Sequence, residues 1–127
     1  MEKLYNIYKR LILESVSRNS INDAIDNKVR VKIYYEPEDG PSGDRTVEIY
    51  AYGINSKGNQ IIRGFQPFGV TKTGNSRWKT FRVDRIRQFT PTGFKFYTPI
   101  NLRGSGIETY NGSGDGKMVT VYNQIKF

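Results

Sequence analysis

The chain has 127 residues, 36% of them apolar, with a formal charge of +8. That length carries one domain with one modest core. The absence of Cys and His excludes a disulfide framework, thiolate or imidazole metal sites, a cysteine nucleophile and a histidine base. No apolar run approaches the roughly 18 residues of a membrane span. The N-terminus MEKLYNIYKR mixes acid and base before any apolar block, unlike a secretion signal. A soluble, cytoplasmic protein is expected, with no membrane partner, no cofactor and no metal.

The charge is unevenly placed. Residues 1–40 hold 7 basic and 7 acidic side chains, whereas residues 41–97 hold 10 basic and 3 acidic. A local excess of this kind creates the positive potential that attracts phosphates, although a solvated face would show the same count. The 9 Tyr, 7 Phe and 1 Trp favour sheet over helix.

In chain order, Leu4, Ile7, Tyr8 and Leu11 fall at the spacing of one helical face, which predicts an amphipathic helix over 3–17. The run Asn19-Ser20-Ile21-Asn22-Asp23 reads as an N-cap opening a second short helix to about Asn27. From Val29 the period becomes two, with Val31, Ile33 and Tyr35 on one face. A polar loop follows over Glu36 to Asp44, then a second strand over Arg45 to Tyr52 that turns Val47, Ile49 and Ala51 one way.

Asn55 to Asn59 is a turn by composition and leads into a third strand over Gln60 to Gln66. The fourth strand, Arg77 to Gln88, is the longest, and a short fifth follows the turn Thr90-Pro91-Thr92-Gly93 at about Phe94 to Tyr97. The fold expected is α+β and mainly β: an N-terminal helix or helices, a five-stranded meander curled into a barrel, and a Gly-rich extension. The boundaries expected are 1–18 for the helix, 19–97 for the barrel and 98–127 for the extension, in which Met118 to Tyr122 offers an edge strand.

The fourth strand carries the functional signal. It reads Arg77-Trp78-Lys79-Thr80-Phe81-Arg82-Val83-Asp84-Arg85-Ile86-Arg87, and strict alternation puts Lys79 and Arg85 beside Phe81, with Trp78, Arg82 and Asp84 opposite. Asp84 is its only acid, so several cations want partners from elsewhere. Cations flanked by Trp78 and the Tyr34-Tyr35 pair would combine phosphate clamps with flat surfaces for stacking bases. Aromatics in strands are usually simply core, which is the competing reading of Trp78 and the tyrosines.

At these residues the chain resembles the WYL domain family. The resemblance rests on Val31-x-Ile33-x-Tyr35, Arg45-x-Val47-Glu48, Ile62-Arg63-Gly64-Phe65-Gln66 and, above all, Trp78-Lys79-x-Phe81-x-Val83-Asp84-Arg85-Ile86, over about residues 21–96. It implies an Sm-like or SH3-like barrel, a role in ligand sensing or nucleic-acid binding in bacterial regulators, and a basic pocket at Tyr35, Arg63, Lys79 and Arg85. Trp78 and Arg82 join by aromatic character and charge. The family's eponymous Trp-Tyr-Leu falls at Gln60-Ile61-Ile62, and its usual Arg before the strand-four Phe is Lys79, a point charge and not a planar fork.

Only about 28 residues precede the first strand, too few for a winged helix-turn-helix, so a stand-alone domain is expected. The function expected is a non-enzymatic binding module for nucleic acid, single strands favoured, or for a nucleotide, with a protein partner or self-association through the N-terminal helix. The alternative is an assembly protein, such as a phage particle component in a bacterial host cell, making protein contacts through helix and barrel. Glu36, Glu38 and Asp39 could hold a hard cation, but their loop lacks the ligand spacing of a metal site.

Overall fold

The structure, a computed structural model of the chain, describes residues 16–71, 77–96, 110 and 112–126. The helix expected over 3–17 and most of the Gly-rich stretch before residue 110 lie outside the described residues. The helix α1 spans Arg18–Asp26 and is capped by Ser17, whose hydroxyl accepts the Ser20 amide N–H at 3.3 Å. The cap thus lies two residues before the expected Asn19. Starting there puts Ile21, Ala24 and Ile25 on one buried face, which is the i, i+3, i+4 stripe a helix needs to lie on a sheet.

Six antiparallel strands follow: β1 (Val29–Tyr35), β2 (Gly43–Ile54), β3 (Gln60–Gly69), β4 (Arg77–Arg82), β5 (Ile86–Lys95) and β6 (Thr120–Gln124). Their order is β4-β3-β2-β1-β5, with β6 also on β2. The twelve-residue β2 organises the sheet. One of its edges runs along β3, while the other pairs with β1 from Gly43 to Val47 and with β6 from Ala51 to Ile54. The number of strands is therefore six and not five, because the edge strand offered by the extension fills the half of β2 that β1 leaves open. Among the described residues the sheet is open, with β4 and β5 at its ends and no ladder between them.

The long fourth strand is broken. A turn of 3-10 helix at Val83–Arg85 separates β4 on β3 from β5 on β1, so the alternation read across Arg77 to Gln88 does not hold. Two bonds from β1 hold the turn: the Tyr35 hydroxyl accepts the Arg82 N–H at 2.9 Å, and the Glu36 N–H donates to the Arg85 carbonyl at 3.0 Å. β5 then runs through the stretch expected to be a turn, with Pro91 opposite Val31. A proline is tolerated there because β5 has its outer edge free of a ladder partner.

Two apolar clusters occupy opposite faces. The larger contains Ile21, Ala24, Ile25, Val31, Ile33, Tyr35, Val47, Ile49, Ile62, Phe81 and Ile86 between helix and sheet. The smaller gathers Tyr50, Phe65 and Phe96 with Trp78 and Tyr110. Two register shifts between β2 and β3, at Thr46/Glu48 and Ile49/Ala51, re-aim side chains and bury β2 on both faces. Gly64 sits against this bend: a Cβ there would lie 2.6 Å from the Glu48 carbonyl oxygen and 2.8 Å from Val47 Cγ1. The substitution Gly64→Ala is expected to destabilise the fold by about 1–3 kcal/mol, read as a lower urea midpoint at unchanged slope.

Candidate functional site

The strand registers bring one group of polar side chains to the inner face of the sheet. Arg45 stands opposite Ile33 on β1 and shares the parity of Val47 and Ile49, so it points with them into the core. It is only 6% exposed. Its guanidinium carbon lies 5.1 Å from the Tyr35 ring centroid and 5.9 Å from that of Phe81, which are themselves edge to face at 5.0 Å. Cation–π contact of this kind offsets part of the cost of burial.

The hydrogen bonding of Arg45 is incomplete. Nη2 donates to the Pro41 carbonyl at 3.0 Å and Nη1 reaches the buried Gln66 Oε1 at a long 3.5 Å. Nε is buried without a hydrogen-bond acceptor among the described residues. No ion pair joins Arg45 to a carboxylate among the described residues, and burial lowers its pKa from the ordinary value. A cation this deep costs several kcal/mol unless something compensates it.

Arg85 borders the same place. Its charge acts on the Tyr35 phenol, its Nε is also buried without an acceptor among the described residues, and it pairs with Glu38 at 3.7 Å, a carboxylate 82% exposed. Lys79 pairs in register with Gly64, two residues before the inward Phe81, and donates from Nζ to Thr71 Oγ1 at 2.8 Å. Tyr35, Lys79 and Arg85 thus belong to one face with Arg45 and Gln66.

The other sequence-derived candidates go elsewhere. Arg63 is on the opposite face, where Nε donates to Asp115 at 2.8 Å and Nη1 to the Thr80 hydroxyl at 3.1 Å. Its guanidinium lies 5.7 Å from the Trp78 ring. Trp78 packs among Tyr50, Phe65 and Tyr110 at centroid distances of 4.7, 5.6 and 6.2 Å, so it is separated from Tyr35 by the sheet. Arg82 is clamped by both oxygens of Asp84 at 3.1 and 2.6 Å, which raises its pKa.

The acids missing along the run read as the fourth strand come from other elements, Glu38 for Arg85 and Glu36 for Arg87, and Arg63 on β3 is answered by Asp115. Glu36 and Glu38 are thereby engaged with cations. Arg45 and Gln66 were missed by sequence reasoning. The signal for Arg45 was its parity with Val47 and Ile49; Gln66 had none, since a polar residue ends many strands. A depression of about 370 Å³ beside the β2–β3 turn is lined by Gly58, Asn59, Gln60, Val83 and Asp84. It has an acid and no cation, which does not suit an anion.

The described residues thus form a small antiparallel sheet packed against α1, with Tyr35, Arg45, Lys79 and Arg85 on its inner face and no carboxylate among them on Arg45. The family model for the WYL domain matches residues 18–91, and the chain belongs to that family, whose members are ligand-sensing or nucleic-acid-binding regulatory modules. No curated protein and no solved structure matches the chain significantly. No helix among the described residues is long and apolar enough to cross a membrane.

Burial raises the phenol pKa values of Tyr35, Tyr52 and Tyr110 above the ordinary 10.0. The unfolded chain then ionises first as pH rises, so these groups leave stability unchanged below about pH 10 and reduce it above. Denaturant midpoints are expected to hold level from neutral pH to that point and fall beyond it. Tyr35→Phe should flatten the fall, at the cost of the acceptor for the Arg82 amide.

Proposed function

We propose that this WYL domain is a non-catalytic module that binds nucleic acid, single strands in preference, or a nucleotide, through the inner-face cluster of Tyr35, Arg45, Lys79 and Arg85. The observation that carries the reading is the buried Arg45 guanidinium, whose Nε lacks an acceptor and which has no carboxylate among the described residues. Proteins rarely retain such a group for stability, since apolar replacements of buried charges are often neutral or stabilising. Retention fits an arriving anion that supplies the missing acceptor.

Arg63 and Trp78 form a second cation–aromatic surface on the opposite face, closed by Asp115 and Tyr110. Arg82 is held by Asp84. These three contribute less than the inner cluster unless the bound strand wraps the sheet edge formed by β4. A regulatory role follows from the family: binding on the inner face stiffens the contact of β1 with the turn after β4 and reaches α1, which packs on β1 and β2.

Fluorescence anisotropy with labelled oligonucleotides at low and physiological salt tests the reading. Binding should weaken with salt, at a log–log slope of about −2 if three cations meet single-strand phosphates. Arg85→Ala and Arg45→Met should each cost about tenfold or more in affinity, and Arg63→Ala less. Arg45→Met should also leave the urea midpoint equal or higher, separating loss of binding from loss of fold. No binding of single-stranded, double-stranded or mononucleotide ligand at low salt would overturn the proposal.

A further inference from the structure

The inner cluster has an acceptor deficit with a definite shape. Arg45 Nε and Arg85 Nε are buried N–H donors without acceptors among the described residues. The Tyr35 oxygen already accepts the Arg82 N–H, and its own O–H proton has no acceptor among the described residues. These groups share one neighbourhood: the Arg45 guanidinium lies over the Tyr35 ring, Tyr35 stands opposite Ile86, and the Arg85 carbonyl accepts the amide of Glu36. Two guanidinium donors and the O–H of the phenol between them ask for a ligand with several oxygens.

Access narrows the choice. Arg45 and Tyr35 are each only 6% exposed, and Arg45 is backed by the rings of Tyr35 and Phe81. A phosphodiester inside a strand carries a sugar on both sides and would have to pass through the cluster. A phosphomonoester carries one and can enter end-on. It also presents three non-bridging oxygens and, near neutral pH, a charge of about −1.5 to −2, against the two guanidinium charges of Arg45 and Arg85. Glu38, exposed and 3.7 Å from Arg85, competes only weakly and swings away as the anion arrives, whereas a tight bidentate partner would block it.

We propose that the Tyr35–Arg45–Arg85 cluster recognises a terminal phosphate, the phosphomonoester of a mononucleotide or of a phosphorylated strand end, rather than the internal backbone of a strand. The inference rests on the binding reading above and specifies its ligand. Strand length then matters less than end chemistry, and Glu38 is a competitor whose removal strengthens binding.

The test uses the full chain and 12-nucleotide oligothymidylates in matched pairs: 3′-labelled with a 5′-phosphate or 5′-hydroxyl, and 5′-labelled with a 3′-phosphate or 3′-hydroxyl. Thymidine 5′-monophosphate and inorganic phosphate serve as unlabelled competitors. A phosphorylated end is expected to bind about tenfold or more tightly than its hydroxyl counterpart, the gain of roughly one charge-assisted contact. The pair that shows the difference identifies the end. Glu38→Gln should tighten the phosphorylated form, and Arg85→Gln should erase the difference between the members of a pair. Equal affinity within both pairs, with binding intact, overturns the end-on inference and leaves the binding reading standing. Absence of all binding overturns both. The paired comparison needs only the parent chain, so a misfolded Arg45 variant would not obscure it.

Discussion

One hydroxyl holds the two ends of this sheet in relation to each other. Tyr35 closes β1, packs its ring edge to face against Phe81 and accepts the amide of Arg82, tying the last residue of β4 to a strand that is not its neighbour in the ladder. The adjacent Glu36 amide repeats the tie to Arg85. Without a ladder between β4 and β5, these bonds and the apolar contact beneath them are what fix the 3-10 turn. The Arg82 N–H and the Arg85 carbonyl, two backbone groups outside the ladder between neighbouring strands, find their partners there.

The position of the cation cluster follows from that tie. Because the turn is drawn onto Tyr35, Arg85 faces inward at the mouth of the sheet, close enough for its charge to act on the phenol. Arg45 meets the same phenol from β2 because its parity is that of Val47. The broken strand converts a row of charges into a cluster.

Beyond residue 96 the chain treats the other face differently. β6 fills the edge of β2 beyond β1, Tyr110 joins Trp78 and Tyr50, and Asp115 takes Arg63. An aromatic residue and a cation that looked like a binding surface are given partners from within the chain. The two faces therefore differ in kind: one cation–aromatic surface is closed by a carboxylate, and the other has an Arg with no carboxylate among the described residues. That contrast makes the inner face the better candidate for an outside anion.

The sequence by itself determined the strands whose faces differ in polarity. Val31, Ile33 and Tyr35 alternate with Arg30, Lys32 and Tyr34, and a period of two next to a cap and an apolar triplet leaves little choice. It also carried the family resemblance and placed Tyr35, Lys79 and Arg85 among the candidates. Only the tertiary structure decided where the long fourth strand breaks, which acid answers which cation, and that Trp78 and Tyr35 lie on opposite faces. The reason is physical: alternation is a local property of a straight strand, whereas a bulge or a 3-10 turn resets it through bonds to residues some fifty positions away, as Tyr35 does for Arg82 and Glu36 for Arg85. Charge pairing is likewise set by which loops meet, so the acceptor deficit at Arg45 could be seen only once every neighbour was in place.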